Sequence, residues 1–402
     1  MDVKPGYKQS EIGVIPKDWD VQALGDIAAI AAGGTPSRRV SEYWNGGIPW
    51  VTTTEIDFKT IRETAESIST LGLKNSAAKF LAPETLLLAL YGQGKTRGKV
   101  AVLGIEATTN QACASIVLSP DVSQGFIFYF LSSQYKAIRS MSNAGSQDNL
   151  SGRIVKQIMV PLPPTKAEQD AIAQSLSDAD AFIESLEQLL AKKRNLKRGA
   201  IQELLTGKKR LLGFAVTSGY QETEVGNTPE DWCLRRVAEF ATTVASGRSH
   251  VGSEFGDYPV HGSTGVIGRC IKPDYSGKAI LIARVGANAG KLTVVDGEYG
   301  VTDNTIILKI DESLDYEYFW RQLEAKDLNS MVFGSGQPLI TGTQVKSLIV
   351  PLPPTKPEQV AIAGILNDMD AEIAAVEKKL TKARLLKHGM MQELLTGRIR
   401  LV

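Results

Sequence analysis

Apolar residues recur at heptad spacing in two long stretches of the chain. The first stretch contains Ile172, Leu176, Ala179, Ile183, Leu186 and Leu190, and the second contains Ile362, Leu366, Met369, Ile373, Val376 and Leu380. Apolar positions that alternate three and four residues apart line the face of an α-helix that packs on another helix. We therefore predict two long amphipathic helices of about 38 residues, roughly 57 Å each, that pair antiparallel.

Sequence signals for helix ends flank both stretches. Thr165 with Glu168, and Thr355 with Glu358, predict capping boxes at the helix starts. Gly207 and Gly397 are natural stops. After Leu190 and Leu380 the heptad phase is expected to drift, so that the apolar stripe of the first helix continues through Leu196, Ala200 and Leu204.

The two helical stretches are copies of one another. Residues 161–212 align with 351–402 at a constant offset of 190, without gaps, and 31 of the 52 positions are identical. A second, shorter repeat precedes each insert: Gly6–Trp19 matches Gly219–Trp232 at an offset of 213. The chain therefore consists of a lead-in segment, a variable insert and a long helix, followed by the same three parts again.

The repeat also predicts a circular arrangement. The first helix is followed by the lead-in segment at 219–232. The matching lead-in segment for the second helix is the one near the N-terminus. We therefore predict that residues 1–19 pack against the end of the second helix and complete the second repeat.

Each insert is expected to be a mixed α/β domain. Apolar runs predict strands at 48–51, 85–90, 100–103 and 114–118 in the first insert and at 279–282, 292–295 and 305–308 in the second. Helices are expected near 126–141 and 316–328. The predicted domains are residues 1–157, with the first insert, 158–212 as the first helix region, 213–346, with the second insert, and 347–402 as the second helix region.

Composition narrows the class of protein. A chain of 402 residues with 43% apolar and 22% charged residues is typical of two or three globular domains. No apolar run approaches the ~20 residues of a membrane span, and no signal peptide opens the chain. Three scattered cysteines fit a reducing cytoplasm. The net charge of +1 requires any basic surface to be local.

One cationic, glycine-rich loop recurs in both inserts. Residues 91–99 and 284–291 each lie between two predicted strands, and their polar side chains suit phosphates and base edges. A solvated hairpin tip is the alternative. The candidate nucleic-acid-binding residues of these loops are Tyr91, Gln93, Lys95, Thr96, Arg97 and Lys99 in the first insert and Arg284, Asn288 and Lys291 in the second.

Other polar positions are candidates of the same kind. Asn110, Gln111 and Asn304 either contact bases or form local turns. The remaining candidates are Arg38, Arg39, Ser146, Gln147, His261, Ser263, Thr264, Ser335 and Gln337. Cations late in the helices, among them Lys193, Arg194, Lys197, Arg384 and Lys387, either form a solvated face or contact phosphates.

None of the apparent catalytic motifs in the sequence is complete. Gly94-Lys95-Thr96 lacks the first glycine of a phosphate-binding loop, because position 89 is alanine, and a strand follows it instead of a helix. The three histidines have no partner at metal-ligand spacing. The sequence thus predicts neither catalytic residues nor a bound cofactor or metal for this chain.

Several motifs together resemble the specificity subunits of type I restriction-modification enzymes. Both helices open with Pro-Leu-Pro-Pro-Thr-Lys-x-Glu-Gln, at 161–169 and 351–359, and both end in Gln-Glu-Leu-Leu-Thr-Gly, at 202–207 and 392–397. The insert motifs that share the resemblance are 33–37, 43–44, 48–51, 107–111 and 144–147, with 301–304 and 334–337 in the second insert. The resemblance covers essentially the whole chain.

This resemblance implies an α+β fold and a non-catalytic function in phage defence. Two mixed α/β target recognition domains would be separated by two long conserved helices that form an antiparallel coiled coil, with an internal pseudo-twofold repeat. Each domain would read half of a bipartite, asymmetric target in double-stranded DNA. The helices would set the spacer and dock two modification (methyltransferase) subunits.

The cofactors implied by the resemblance belong to the partner subunits. S-adenosylmethionine would bind the methyltransferase subunits, and ATP with Mg would bind the restriction (motor-nuclease) subunits. A coiled-coil scaffold that binds proteins without reading DNA is the alternative function.

Overall fold

The computed structural model describes residues 4–92, 95–141, 149–214, 219–251, 256–332 and 339–401. The chain forms two compact units, one made of residues 1–187 and 379–402 and the other of residues 188–378. Each unit contains one insert, the first part of one long helix and the last part of the other.

The first unit is a mixed α/β structure. Along the chain, a strand-rich insert is followed by short helices and then by a long helix. Its elements are β1 (Tyr7–Ser10), β2 (Gly13–Pro16), β3 (Asp20–Ala23), α1 (Leu24–Ile27), β4 (Ala28–Ala32), β5 (Trp44–Val51), β6 (Thr60–Ile61), β7 (Glu66–Ile68), α2 (Thr70–Lys74), β8 (Leu86–Ala89), β9 (Val100–Leu103), β10 (Thr108–Thr109), β11 (Cys113–Leu118), α3 (Gln124–Ser133), α4 (Tyr135–Ser140), α5 (Gly152–Lys156) and β12 (Met159–Leu162). A five-stranded sheet in the order β4-β11-β8-β9-β6 forms its centre, beside a three-stranded sheet β10-β5-β7.

The four strands predicted for the first insert are confirmed, whereas the single predicted helix is two helices. Leu86 and Leu88 of β8 and Ile116 of β11 are buried against Phe126 and Phe130 of α3. The helix breaks at Gln134. The hydroxyls of Ser132 and Ser133 donate to carbonyls of the preceding turn, and such side-chain bonds compete with the helical pattern.

The second unit repeats this plan with fewer helices. Its elements are β13 (Tyr220–Thr223), β14 (Gly226–Pro229), β15 (Cys233–Arg236), β16 (Ala241–Ser246), β17 (Tyr258–Gly262), β18 (Gly265–Cys270), β19 (Tyr275–Ser276), β20 (Ala279–Ala283), β21 (Leu292–Val295), β22 (Glu298–Val301), β23 (Thr305–Ile310), α7 (Tyr316–Ala325), α8 (Gly342–Ser347) and β24 (Ile349–Leu352). The two four-stranded sheets have the orders β16-β23-β20-β21 and β18-β17-β22-β19. All three strands predicted here are confirmed, and the predicted helix ends three residues early, at Ala325.

Each insert is closed by a short antiparallel pair that brings its two ends together. In the first unit β3 pairs with β12, and in the second β15 pairs with β24. The strands β12 and β24 contain the Pro-Leu part of the repeated motif. The insert is therefore anchored where it leaves the lead-in segment and where it joins the long helix.

The two long helices are α6 (Lys166–Leu204) and α9 (Lys356–Leu394), with 39 residues each. The predicted heptad positions are buried or half-buried in both helices. The stripe expected at Leu196, Ala200 and Leu204 is confirmed for Ala200 and Leu204, which pack in the core of the second unit. It is wrong for Leu196, which is 56% exposed. The heptad instead continues in phase from Leu190 through Lys193 and Lys197, which are half-buried, so lysine stems occupy the seam.

Ion pairs show that α6 and α9 run antiparallel. In the second unit Arg194 pairs with Glu377 and Lys197 with Asp370, both at 2.6 Å. In the first unit Arg384 pairs with Glu187 at 2.6 Å and Lys387 with Asp180 at 2.5 Å. These pairs are equivalent under the offset of 190. Several late cations of the helices thus pair with the partner helix, and of these Arg194 and Arg384 remain exposed, as the solvated-face alternative anticipated.

The predicted capping box at the start of α6 forms only in part. The backbone amide of Glu168 donates to the hydroxyl of Thr165 at 3.2 Å. The Glu168 carboxylate, however, pairs with the guanidinium of Arg400. A buried carboxylate requires a charged partner more than a helix start requires a second cap, and Arg400 supplies that partner.

The predicted packing of the N-terminal segment against the second helix is confirmed. The Tyr7 hydroxyl donates to the carbonyls of Gly397 and Arg398, both at 3.2 Å, and Arg400 pairs with Asp18 at 3.0 Å. Trp19 is buried with Leu394 and Leu395 in one core. The lead-in segment therefore completes the end of α9.

The same joint recurs in the second unit. The Tyr220 hydroxyl donates to the carbonyls of Gly207 and Lys208, at 3.4 and 3.0 Å. Arg210 pairs with Asp231 at 2.6 Å and with Glu358 at 2.8 Å. Each joint therefore ties three parts together: the tail of one long helix, a lead-in segment and the start of the other long helix.

Candidate nucleic-acid interface

Sheet topology gathers three connections at one edge of the first insert. Strands β4 and β8 both run antiparallel to β11, with Ala32 opposite Ala114 and Ala89 opposite Cys113. The carboxyl ends of β4 and β8 therefore lie beside the amino end of β11. The connections 33–39, 90–99 and 110–112 all leave the sheet there, and we call them the first loop edge.

Backbone contacts fix these connections to one another. The amide of Leu90 donates to Ala112 at 2.8 Å, and that of Gly34 donates to Thr109 at 2.8 Å. A Cβ atom at Gly33 would lie 2.1 Å from the carbonyl oxygen of Thr109. Glycine is therefore required at position 33, where two backbone segments touch.

An aromatic and ionic cluster supports connection 33–39. The Arg38 guanidinium lies 3.8 Å from the centre of the Trp44 ring and pairs with both oxygens of Glu66, at 2.5 and 3.1 Å. The Trp50 indole donates to Gly34 at 2.9 Å. Arg38 is thus held in place as well as partly exposed, while its neighbour Arg39 is exposed.

The loop 91–99 exposes less charge than its sequence suggests. Lys95 is exposed and Tyr91 is 40% exposed. Lys99 is paired with Asp57 at 2.5 Å. Arg97 is only 8% exposed, and its Nε and Nη1 atoms are buried without a partner in the described part of the chain. Of the three cations in this predicted loop, Lys95 therefore faces solvent, Arg97 is packed inward and Lys99 is neutralised.

The remaining candidates of the first loop edge divide into turn formers and exposed groups. The Asn110 side chain accepts from the amide of Ala112 at 3.0 Å, as its turn-forming alternative anticipated. Gln111 is exposed and accepts from the Thr35 hydroxyl. The Thr96 hydroxyl donates to the carbonyl of Tyr91 at 3.3 Å. Of these, Gln111 presents an amide group to solvent at this edge.

The second insert builds the same edge from different side chains. Ala283 lies opposite Thr305, and Ser246 opposite Ile306. The amide of Arg284 donates to Asn304 at 2.9 Å, as that of Leu90 does to Ala112. A Cβ atom at Gly247 would lie 2.1 Å from a carbonyl oxygen, as at Gly33. We call the connections 247–251, 284–291 and 302–304 the second loop edge.

Several polar groups of the second loop edge reach solvent. Of the predicted residues in it, Lys291 and Asn304 are exposed, and Arg284 and Asn288 are half-buried. Thr264, which is exposed, and Ser263, which is half-buried, lie in the turn between β17 and β18, outside this edge. The Arg284 guanidinium donates to the Ser246 hydroxyl at 3.2 Å. The backbone carbonyl of Asn304 accepts the hydrogen bond from the Arg284 amide, so this contact does not use the Asn304 side chain.

His261 is a core residue beside the second loop edge. It is buried, its ring lies edge-on to Tyr299 at 6.1 Å, and its carbonyl accepts from Thr302. Burial lowers the pKa of His261 below its ordinary value of 6.5. A neutral, buried imidazole is a poor phosphate ligand, so the expectation that this side chain faces DNA has no support in its placement.

Sequence reasoning missed exposed polar residues at both edges. Arg248 and His250 are exposed directly after Gly247, and the equivalence of Gly247 with Gly33 could have revealed them. Arg153 and Lys156 of α5 are exposed and line a cavity of about 380 Å³ together with Ala32 and Leu90. For these two, a short polar helix offers no sequence signal.

Five predicted residues lie outside the described parts of the chain: Gln93, Ser146, Gln147, Ser335 and Gln337. The described residues next to two of these gaps are nevertheless informative. The amide of Leu150 donates to Leu90 at 3.0 Å, and that of Ile340 donates to Arg284 at 2.9 Å. Both contacts lie at the loop edges.

Metal and membrane signals are not found in the described residues. Their His, Cys, Asp and Glu side chains form no group of three or more that could hold a metal ion. None of the helices within the described ranges combines the length and apolar character that a bilayer crossing requires.

Replacement of Gly33 by alanine tests whether the first loop edge depends on backbone contact. The added Cβ would overlap Thr109, so we expect the free energy of unfolding to fall by about 1–3 kcal/mol. Gly152→Ala is the control, because its Cβ would meet no atom within 4 Å. Urea denaturation measures both changes, and equal stability of the two variants would contradict the proposed close approach.

Comparison with known proteins assigns the family. The model of the type I restriction modification DNA specificity domain matches residues 16–192 and again residues 229–384. Because these two matches cover most of the chain, the protein belongs to the family of type I restriction-modification DNA specificity subunits.

Individual relatives match this chain over a part or nearly all of its length. The type I restriction enzyme MjaVIII specificity subunit of Methanocaldococcus jannaschii is 24% identical over 427 aligned residues, which cover 96% of this chain and 94% of that protein. The MjaIX specificity subunit of the same organism is 30% identical over 184 residues, and this match spans 42% of its length. The crystal structure of the S subunit from M. genitalium superposes with a TM-score of 0.61 at 16% identity, covering 98% of each chain.

Proposed function

We propose that this chain is the non-catalytic DNA-reading subunit of a type I restriction-modification complex, and that each insert reads one half of a bipartite, asymmetric target. The observation that carries the proposal is the pair of loop edges. Their backbone frameworks match, whereas the side chains on them differ. A shared framework with different polar groups suits two domains that perform the same task on different base sequences.

The exposed groups at the two edges have the chemistry of DNA readout. At the first edge Lys95 and Arg39 suit phosphates or guanine, and the Gln111 amide can pair with adenine. At the second edge Lys291 and Arg248 suit phosphates or guanine, and Asn304 can pair with adenine. These groups are similar in kind, so the proposed difference between the two half-sites rests on the rest of each insert, which differs in length and sequence.

The helix pair is proposed to set the spacer and to dock two methyltransferase subunits. The duplicated ion pairs and joints support this part of the proposal, because they give the two units equivalent scaffolds. S-adenosylmethionine would be bound by the methyltransferase partners. Restriction subunits, with ATP and Mg, would complete the assembly. This chain contributes recognition and geometry.

Exchange of one insert tests the proposal. We expect that replacing residues 20–157 by the corresponding block of another family member changes one half of the methylated sequence and leaves the other half unchanged. The reason is that discrimination between sites, typically ~10³-fold or more in DNA-binding proteins, would reside in the exchanged loops. Genome-wide mapping of methylated adenine, with the chain and its methyltransferase partner expressed together, measures the result.

The matched control is the reciprocal exchange of residues 233–347, which should change the other half only. If either exchange altered both halves, or neither, the modular proposal would fail. A protein-only scaffold, the alternative function, would assemble with the methyltransferase and yet give no target preference attributable to either insert.

A further inference from the structure

One aspartate in each unit joins three elements: a helix of the insert and both long helices. Asp180 of α6 accepts a hydrogen bond from the hydroxyl of Tyr129 on α3 at 2.9 Å and pairs with Lys387 of α9 at 2.5 Å. We call Tyr129, Asp180 and Lys387 the first orientation lock. The Lys387 ammonium also lies 5.4 Å from the centre of the Tyr129 ring, so all three groups are in mutual contact.

The second unit contains the equivalent arrangement. Asp370 of α9 pairs with Arg321 of α7 at 2.7 Å and with Lys197 of α6 at 2.6 Å. We call Arg321, Asp370 and Lys197 the second orientation lock. Asp180 and Asp370, like Lys197 and Lys387, correspond under the offset of 190. The chain therefore keeps this junction in both copies although its partner in the insert changed from tyrosine to arginine.

The two locks differ in strength. Tyr129 contributes one hydroxyl, which stays protonated because burial and the nearby Asp180 raise the pKa of Tyr129. Arg321 is charged and buried, and it also donates to Asn367 at 3.1 Å and pairs with Glu324 at 2.6 Å. Both locks contain hydrogen bonds to a carboxylate, but Arg321 is itself charged and makes contacts with three acceptors, whereas Tyr129 donates one hydrogen bond. We therefore expect the second recognition domain to be held more firmly on its helices than the first.

Each lock adds polar contacts to a helix that already packs against the long helices in a shared core. The helices α3 and α7 are also held at their starts, where the amides of Ser123 and Asp315 donate to Gln169 and Gln359, both at 2.8 Å. Directional polar contacts at the start and in the later turns of a helix restrict its tilt more than apolar packing does, because apolar packing is non-directional. Because α3 and α7 pack into the cores of their inserts, the tilt of each helix sets the orientation of each loop edge.

We infer that Tyr129 and Arg321 are positioning residues that, through Asp180 and Asp370, fix each recognition domain on the helix pair and thereby restrict the spacer length the complex accepts. The inference rests on the proposed function. The residues would not touch DNA themselves. They would determine how far each loop edge can tilt to reach a half-site displaced by one base pair.

The test compares Tyr129→Phe and Arg321→Gln with the unaltered chain, each in complex with the methyltransferase partner. Methylation rates are measured on duplexes that carry the natural spacer or a spacer one base pair shorter or longer. We expect the rate on the natural spacer to stay within about twofold, whereas discrimination against altered spacers falls about threefold for Tyr129→Phe and about tenfold for Arg321→Gln, in the order of the lost hydrogen bonds.

Two further variants separate positioning from stability. Tyr299→Phe removes a tyrosine hydrogen bond to Gly277 within the second insert, away from the locks, and should leave the discrimination unchanged. Arg321→Lys retains a charged donor for Asp370 and should recover most of it. A uniform loss of rate on all three duplexes, or unchanged discrimination with full activity, would overturn the inference. Failure of the unaltered complex to methylate any bipartite site would instead overturn the proposed function.

Discussion

Replacement of Arg210 by methionine is expected to lower the free energy of unfolding of the second unit by about 3–5 kcal/mol, because it leaves two buried carboxylates without their shared cation. Arg210 is 9% exposed and Glu358 is 1% exposed. Methionine preserves much of the side-chain volume, so the loss reports mainly on charge. Hydrogen exchange in β24 and the first turns of α9 measures it locally.

The internal repeat supplies a matched control for this substitution. Arg400 forms the equivalent joint in the first unit, but it is 26% exposed and its partner Asp18 is largely solvated. We expect Arg400→Met to cost less, about 2 kcal/mol, since water can reach Asp18 and the arginine site itself, although Glu168 stays buried. Equal losses for the two variants would show that burial does not set the strength of these joints.

The pH dependence of the Arg210→Met deficit is a second measurement on the same variant. Burial already raises the pKa of Glu358 above 4.5, and Arg210 opposes this rise. Without the arginine the folded-state pKa should rise further. A carboxyl whose pKa is higher in the folded state regains stability as pH falls through that pKa. The deficit should therefore shrink on acidification towards about pH 4.5, and a growing deficit would contradict this account.

Removal of residues 1–19 is expected to destabilise the first unit by more than any single substitution. The deletion takes Ile15 and Trp19 out of a core that contains Leu394 and Leu395, and it removes the Asp18 partner of Arg400. Loss of one buried tryptophan side chain alone typically costs about 3–5 kcal/mol. Denaturant titration and co-purification with the methyltransferase partner measure the consequence.

Trp19→Ala is the milder form of the same experiment and should show a smaller loss. Deletion of residues 215–218 does not test the joint, because both lead-in segments remain intact. Unchanged stability and assembly after removal of residues 1–19 would mean that the joint at the end of α9 contributes nothing.

The scaffold could be predicted from sequence because it obeys periodic rules. The heptad positions, the stops near Gly207 and Gly397, and the joint at the end of α9 all follow from spacing and repetition. The prediction that Leu196 is buried was wrong because it followed the apolar residues and not the heptad spacing. The seam keeps its heptad, and lysines occupy it because their stems are apolar and their ammonium groups find carboxylates across the seam.

The loop edges could be predicted in location and less well in exposure. Recurrence of the glycine-rich loop predicted equivalent positions in the two inserts, and the two loops do leave equivalent sheet edges. Whether a cation faces solvent, however, depends on contacts distant in sequence, as with Lys99 and Asp57, which are 42 positions apart. Arg97 and Lys95 are two residues apart and yet have opposite environments. No local pattern encodes that difference.

The way the helices hold the inserts has an evolutionary consequence. Gln169 and Gln359 each accept a hydrogen bond from a backbone amide of an insert. The paired strands that close each insert are also held by backbone hydrogen bonds. Backbone atoms are present whatever the side chains are. An unrelated insert acquired by recombination could therefore form most of these contacts at once. One genetic exchange could then replace the specificity of one insert, and later point mutations could refine the lock at Asp180 or Asp370.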